Sequence, residues 1–162
     1  MLVECSILKR YNKGTNIDQI RAVFKLCREF GIRTLAYFIL GLPGEDNKSI
    51  RRTIKFAKEI KCDYASFGYA SPDIGTELRE ESIKNGWIMN LAQDRIFDSS
   101  AAPILRTNEL SGEETKELLR AAYRQFYIRP SYIIKRLLET KSLGDVRFLL
   151  KGGCLLFKRN IL

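Results

Sequence analysis

The sequence predicts an α/β fold with a parallel sheet, and three observations carry that prediction. Helical and strand patterns alternate in the order helix, strand, helix, strand, helix. Each strand stops at a glycine-containing turn, Gly41-Leu42-Pro43-Gly44-Glu45 and Ser71-Pro72-Asp73-Ile74-Gly75. The remainder is a run of helical segments rather than further strands. Alternation of this kind requires right-handed crossovers between parallel strands. Two strands make a poor sheet alone, because a parallel sheet needs both faces covered. The chain also opens without the cap or loop that usually begins a domain, so we read it as the back part of a larger α/β barrel joined to a helical tail. The alternative is a whole chain whose helices wrap a minimal sheet. The division expected is 1–86 for the barrel portion, 87–110 for an irregular linker or lid, and 111–162 for a helical C-terminal extension.

The elements follow in order. Residues 6–12 read as the end of a helix closed by Asn12-Lys13-Gly14. Thr15 stands as an N-cap with Asp18 three residues on. Ile17, Ile20, Val23, Phe24, Cys27 and Phe30 then recur at helical spacing, and Gly31 supplies the C-cap. Arg33–Leu40, aromatic and β-branched, reads as a buried strand. Asp46 or Asn47 caps a helix with Ile50, Ile54, Phe56, Ala57 and Ile60 on its apolar side. Asp63–Ala70 reads as the second strand, and Thr76 caps a helix stopping near Gly86. Trp87 to Glu109 shows no period. Ser111-Gly112-Glu113-Glu114 is a capping box for a helix to about Tyr127. Pro130 breaks it, Ser131 starts another helix, and Ser142 or Gly144-Asp145 starts the last.

Composition narrows the chemistry. The chain has 162 residues and no histidine, which removes the commonest general base and any serine–histidine or cysteine–histidine pair. Cys5, Cys27, Cys62 and Cys154 are far apart, form no C-x-x-C pair, and read as reduced, buried thiols, so no metal ligand set is written here. No apolar run reaches the ~20 residues that cross a bilayer, and no signal pattern opens the chain, so a cytoplasmic location is expected. The net charge of +9 is uneven: residues 1–111 carry +3 and residues 112–162 carry +6. A basic tail interleaved with Tyr123, Phe126, Tyr127 and Tyr132 can meet nucleic acid, an acidic partner or an anionic membrane surface. At helical spacing, Phe126 and Tyr127 fit a core better. The apolar stripes of Leu137, Leu138, Val146, Phe148, Leu149 and Leu150 read best as packing on the barrel or on a domain outside these residues. Glu80-Glu81 and Glu113-Glu114 are adjacent pairs that do not face one site.

Gly31-Ile32-Arg33-Thr34 followed by Tyr37-Phe38-Ile39-Leu40-Gly41-Leu42-Pro43-Gly44-Glu45 resembles the fifth strand of radical S-adenosylmethionine (radical SAM) enzymes. Asp63-Tyr64-Ala65-Ser66-Phe67-Gly68-Tyr69-Ala70-Ser71-Pro72-Asp73-Ile74-Gly75-Thr76-Glu77-Leu78 resembles the sixth. Ala121 through Tyr132 is similar to the tail of the cobalamin-binding branch, which includes anaerobic magnesium-protoporphyrin monomethyl ester cyclases and related methyltransferases. The resemblance runs from about Tyr11 to the C-terminus. It implies the C-terminal part of a partial, TIM-like (β/α) barrel of six strands. It also implies a parent that reduces S-adenosylmethionine to a deoxyadenosyl radical at a 4Fe-4S cluster, with cobalamin held by a missing N-terminal domain. The cluster motif C-x-x-x-C-x-x-C and the second-strand Gly-Gly-Glu are not in this sequence, so the chain alone is expected to be inactive. Val3-Glu4 is a candidate remnant of the fourth strand.

By the same resemblance, Ile39 packs on the adenine ring, and Gly41 and Gly44 let the turn pass close to the nucleoside. Glu45 fixes the turn or the helix start, and Tyr69 and Ala70 place backbone amides beside the adenine edge. Tyr37 stands where the family often has glycine. Asp73 is a second candidate for facing a substrate, although turn chemistry accounts for it equally. The partners implied are the N-terminal part of the same protein and a small-molecule substrate.

Overall fold

A computed structural model describes residues 10–11, 14–89 and 102–140. Cys5, Cys154, the final helix from Ser142 and the apolar residues Val146 to Leu150 lie outside those residues. The described part is α/β, with five helices and a two-stranded parallel sheet. In chain order the elements are α1 (Ile17–Glu29), β1 (Leu35–Leu40), α2 (Asn47–Glu59), β2 (Tyr64–Tyr69), α3 (Glu77–Lys84), α4 (Gly112–Tyr127) and α5 (Pro130–Glu139). No helix among the described residues is long and apolar enough to cross a membrane.

Helix starts obey local hydrogen bonding. α2 begins at Asp46, whose carboxylate accepts from the Ser49 amide at 2.7 Å while the Ser49 hydroxyl accepts from the Asp46 amide at 2.8 Å. α4 begins at Ser111 with the reciprocal Glu114 contact, as its S-x-x-E pattern predicts. α1 departs from expectation by one residue, because Asn16, not Thr15, is the cap. Asn16 Oδ1 accepts from Gln19 N at 2.9 Å and Gln19 Oε1 accepts from Asn16 N at 3.0 Å. Thr15 would put Asp18 at the third helical position; Asn16 puts Gln19 there. Pro130 both ends α4 and occupies the first position of α5, where its missing N–H is harmless.

β1 and β2 pair from Leu35↔Tyr64 to Leu40↔Tyr69. Side chains alternate across the sheet. Ala36, Phe38 and Leu40 with Ala65, Phe67 and Tyr69 lie on the face covered by α2 and α4, and all are buried. Phe38 stacks on Phe67 at 5.2 Å between ring centres, and Tyr123 of α4 meets Phe67 edge-on at 5.3 Å. No described element covers the other face. Leu35, Tyr37 and Ile39 are 48%, 63% and 37% exposed, and Tyr64, Ser66 and Gly68 beside them are half-buried. The expectation of a buried strand at Arg33–Leu40 therefore holds for one face only. α1 is likewise split. Ile17, Ile20 and Phe24 pack toward the core, whereas Val23, Leu26 and Phe30 are 55%, 51% and 76% exposed, contrary to a single buried stripe. Cys27 is half-buried and Cys62 is buried, both as free thiols.

The stretch after α3 is not wholly irregular. Ile88 bridges Leu105 in antiparallel fashion, with Met89 N donating to Ile104 O at 3.0 Å and Arg106 N to Trp87 O at 2.9 Å. Leu105 joins Leu42 and Ala70 in a second small core, with Trp87 and Ile88 against it. This ribbon thus lies at the carboxyl ends of both strands.

Candidate functional site

The carboxyl ends of β1 and β2 meet at the Gly41–Glu45 turn. Leu42-Pro43-Gly44-Glu45 has the form of a type II turn. The Glu45 amide donates to the Leu42 carbonyl at 2.9 Å, and Gly44 has φ +88° after Pro43. Glycine is required at the third position of such a turn and proline is favoured at the second. Glu45 is 2% exposed, and its Oε2 accepts from the Leu42 amide at 2.9 Å. Its carboxylate is therefore engaged inside the turn. Tyr11 Oη donates to the Pro43 carbonyl at 3.4 Å. Burial pushes the Tyr11 phenol up to about 12, opposed by Arg10 and assisted by Glu81 and Glu45.

Gly41 also has a left-handed backbone, φ +82°, and a Cβ there would sit 2.8 Å from Thr115 Cγ2. The space left by Gly41 is thus filled by α4 rather than held open toward the uncovered face. Ile39, by contrast, is on that face and pairs in register with Gly68. Gly68 thus sets no side chain beside the branched side chain of Ile39, close to the turn. Tyr37, one rung earlier, pairs with Ser66 on the same face.

The Tyr69 side chain is buried among the helices, 5% exposed, and burial raises its pKa, so only its backbone can meet a ligand. The Ala70 amide donates to the Leu40 carbonyl at 2.9 Å. That amide pairs within the sheet. Along a parallel strand the peptide groups alternate between edges, which puts the Tyr69 N–H on the edge away from β1. Asp73 serves its own turn: Oδ1 accepts from the Ser71 hydroxyl at 2.8 Å, and its carbonyl accepts from Thr76 Oγ1 at 2.7 Å. The site therefore joins Ile39, Gly68 and the Gly44–Glu45 turn, with Gly41 and Ala70 as its framework.

Sequence reasoning missed four contributors. Gly68 shows its relevance only through register with Ile39. Thr115 reaches Gly41 from across the fold. Tyr123 and Tyr127 use their hydroxyls on the β2 backbone: Tyr127 Oη donates to Ala65 O at 2.7 Å and accepts from Ala65 N at 3.1 Å. Tyr123 Oη does the same at Phe67, at 2.9 and 3.1 Å. Among the described residues no cluster of three or more acidic or cysteine side chains is placed to hold a metal ion.

No protein-family model matches the chain. An uncharacterized methyltransferase of Pyrococcus horikoshii is 35% identical over 82% of this chain and 28% of its own length. The anaerobic magnesium-protoporphyrin IX monomethyl ester cyclase of Rubrivivax gelatinosus is 23% identical over 90% of this chain and 26% of its own. The ribosomal protein uS12 methylthiotransferase RimO of Elusimicrobium minutum is 30% identical over 72% of this chain and 28% of its own. The chain thus spans between a quarter and a third of the length of these relatives. The class the strand ends pointed to is borne out: the chain is homologous to part of the radical SAM superfamily. Within that superfamily its similarity is to methyltransferase, cyclase and methylthiotransferase members.

Proposed function

We propose that this chain forms the nucleoside-side wall of an S-adenosylmethionine site in a radical SAM methyltransferase or cyclase. The reading rests on one observation above the others. Ile39, in the strand-end motif shared with that family, lies beside Gly68 on the sheet face that the described residues leave open, two residues before the turn through Gly41 and Gly44. Ligands of parallel α/β folds bind at this carboxyl end of the strands. An adenine ring laid over Ile39 beside Gly68 would bury the Ile39 side chain, an interaction worth about 1–2 kcal/mol. Gly44 would let the backbone come close, Glu45 would hold the turn rigid, and the Tyr69 peptide would face the base edge.

On this reading the two strands belong to a partial barrel over residues 1–86, and the remaining strands of the parent join at the β1 edge. Residues 87–89 and 102–110 lie at the strand ends, and 111–140 carry the two helices of the proposed extension. The parent's iron–sulfur cluster does not fit the described cysteines of this chain. Cys27 lies in α1 and Cys62 in the loop before β2, and burial pushes the Cys62 thiol up to about 11, with Arg129 opposing it. A cluster ligand must be a thiolate. We therefore assign these residues to binding and orientation, and infer that the chain alone lacks activity. Cobalamin, where the parent uses it, is carried outside these residues.

Binding of S-adenosylhomocysteine to the full-length protein, followed by calorimetry, tests this. Ile39→Asp should raise Kd about tenfold or more, because it replaces the apolar contact for the ring with a charge. Leu35→Asp, on the same face at the far end, should leave it unchanged. Equal effects of the two substitutions, or none from Ile39→Asp, would refute the nucleoside wall.

A further inference from the structure

We propose that Tyr123 and Tyr127 are positioning residues for the nucleoside wall, acting as two rungs of a missing neighbour strand. This rests on the function proposed above. Each hydroxyl does at one β2 residue what a paired strand would do: it donates to the carbonyl and accepts from the amide of the same residue, Phe67 for Tyr123 and Ala65 for Tyr127. The spacing makes this possible. Four residues of helix rise about 6 Å, and two residues of strand advance about 6.6 Å. Tyrosines at i and i+4 of α4 therefore meet alternate residues of β2, the helix index rising as the strand index falls.

The ladder continues past the helix break, where Tyr132 Oη donates to the Asp63 carbonyl at 3.1 Å, joined by a short contact from the Arg136 guanidinium. It stops in the other direction, because the residue one turn before Tyr123 is Leu119, which has no hydroxyl. Phe67 is thus the last β2 residue held from α4, and the next two, Gly68 and Tyr69, carry the proposed nucleoside contacts. The rungs fix where those two residues emerge while leaving the peptide groups of Tyr69 outside the ladder. The aromatic rings meanwhile stay in the core: Tyr123 lies edge-on to Phe67, and Phe126 lies edge-on to Tyr127 at 4.9 Å. Phenylalanine in place of either tyrosine would keep the packing and remove the rung.

The test combines amide hydrogen exchange with S-adenosylhomocysteine binding in the full-length protein, for Tyr123→Phe and Tyr127→Phe. We expect exchange at Phe67 to quicken at least about tenfold in Tyr123→Phe, with Ala65 responding in Tyr127→Phe, while Ile54 of α2 stays unchanged. Kd should rise about fivefold in Tyr123→Phe and little in Tyr127→Phe, which lies two strand residues further away. Unchanged exchange at Phe67, or equal acceleration at every amide in both variants, would overturn the rungs. Faster exchange at Phe67 with an unaltered Kd would overturn the positioning role. A wild-type protein that binds no S-adenosylhomocysteine would refute the nucleoside wall and the positioning role together, while the exchange rates would still decide the rungs.

Discussion

The Glu45 carboxylate accepts the Leu42 amide at 2.9 Å while the Glu45 amide returns to the Leu42 carbonyl at 2.9 Å, so one residue closes the turn from both its backbone and its side chain. Because the carboxylate is buried, its removal strands a buried N–H. Glu45→Ala should cost about 2 kcal/mol in urea denaturation, within the range for an unsatisfied buried group. Glu45→Gln retains an acceptor of the same length and should cost less than half of that. Equal losses would show that charge, not the hydrogen bond, holds the turn.

Gly41 faces two demands at once, a left-handed backbone and the methyl of Thr115 at 2.8 Å from any Cβ. Gly41→Ala should destabilise by about 2–4 kcal/mol, the sum of backbone strain and overpacking. Thr115→Ser removes the methyl but keeps the hydroxyl that donates to Ser111 O at 2.9 Å. In the Gly41→Ala background it should restore part of the stability and leave the backbone strain. Strict additivity of the two substitutions in a double-mutant cycle would deny the contact.

These two positions show what the sequence could reveal. The turn was legible because Pro43, Gly44 and Glu45 are neighbours and their chemistry is local. The caps at Asp46 and Ser111 were legible for the same reason. The Thr115 contact was not, since nothing in either segment's pattern specifies the other. The α1 start slipped by one residue because Thr15 and Asn16 are both good caps, and the partner three residues on decided between them. The aromatic tail was legible as core at Phe126, but periodicity registers rings rather than hydroxyls, so the use of Tyr123 and Tyr127 on the sheet edge was hidden. The split faces of β1 and α1 were hidden too, because an apolar residue looks the same in sequence whether covered or bare.

The centre of the covered face is Phe67, in ring contact with Phe38, Tyr123 and Phe126. Phe67→Ala should cost about 3–5 kcal/mol. It should also depress the α4 contribution to cooperativity, seen as a lower denaturant slope, because the strand and the helix meet through this ring. Phe30→Ala, at a 76% exposed position, should change the stability of this chain by less than about 0.5 kcal/mol. A comparable loss at Phe30 would place it in a contact that the described residues do not make.

Asp63 ties the starts of both strands to α5. Its carboxylate accepts from the Thr34 amide at 2.9 Å and from Lys135 Nζ at 3.0 Å. Partial burial works to raise its pKa, but the Thr34 amide, the Lys135 ammonium and the Thr34 hydroxyl outweigh it, and the group lies below the ordinary aspartate value of 3.8. A carboxylate depressed in the folded state binds fewer protons there than in the unfolded chain. Its stabilisation is fully present above the unfolded value, near 4, and is lost as pH falls through the lower folded value. Urea midpoints should therefore decline as pH drops below about 4, and Asp63→Asn should flatten that decline while lowering stability at pH 7. Raised salt should weaken the Lys135 share, which is partly exposed, and spare the Thr34 amide bond. An acid limb of unchanged steepness in Asp63→Asn would assign the acid sensitivity to other carboxylates.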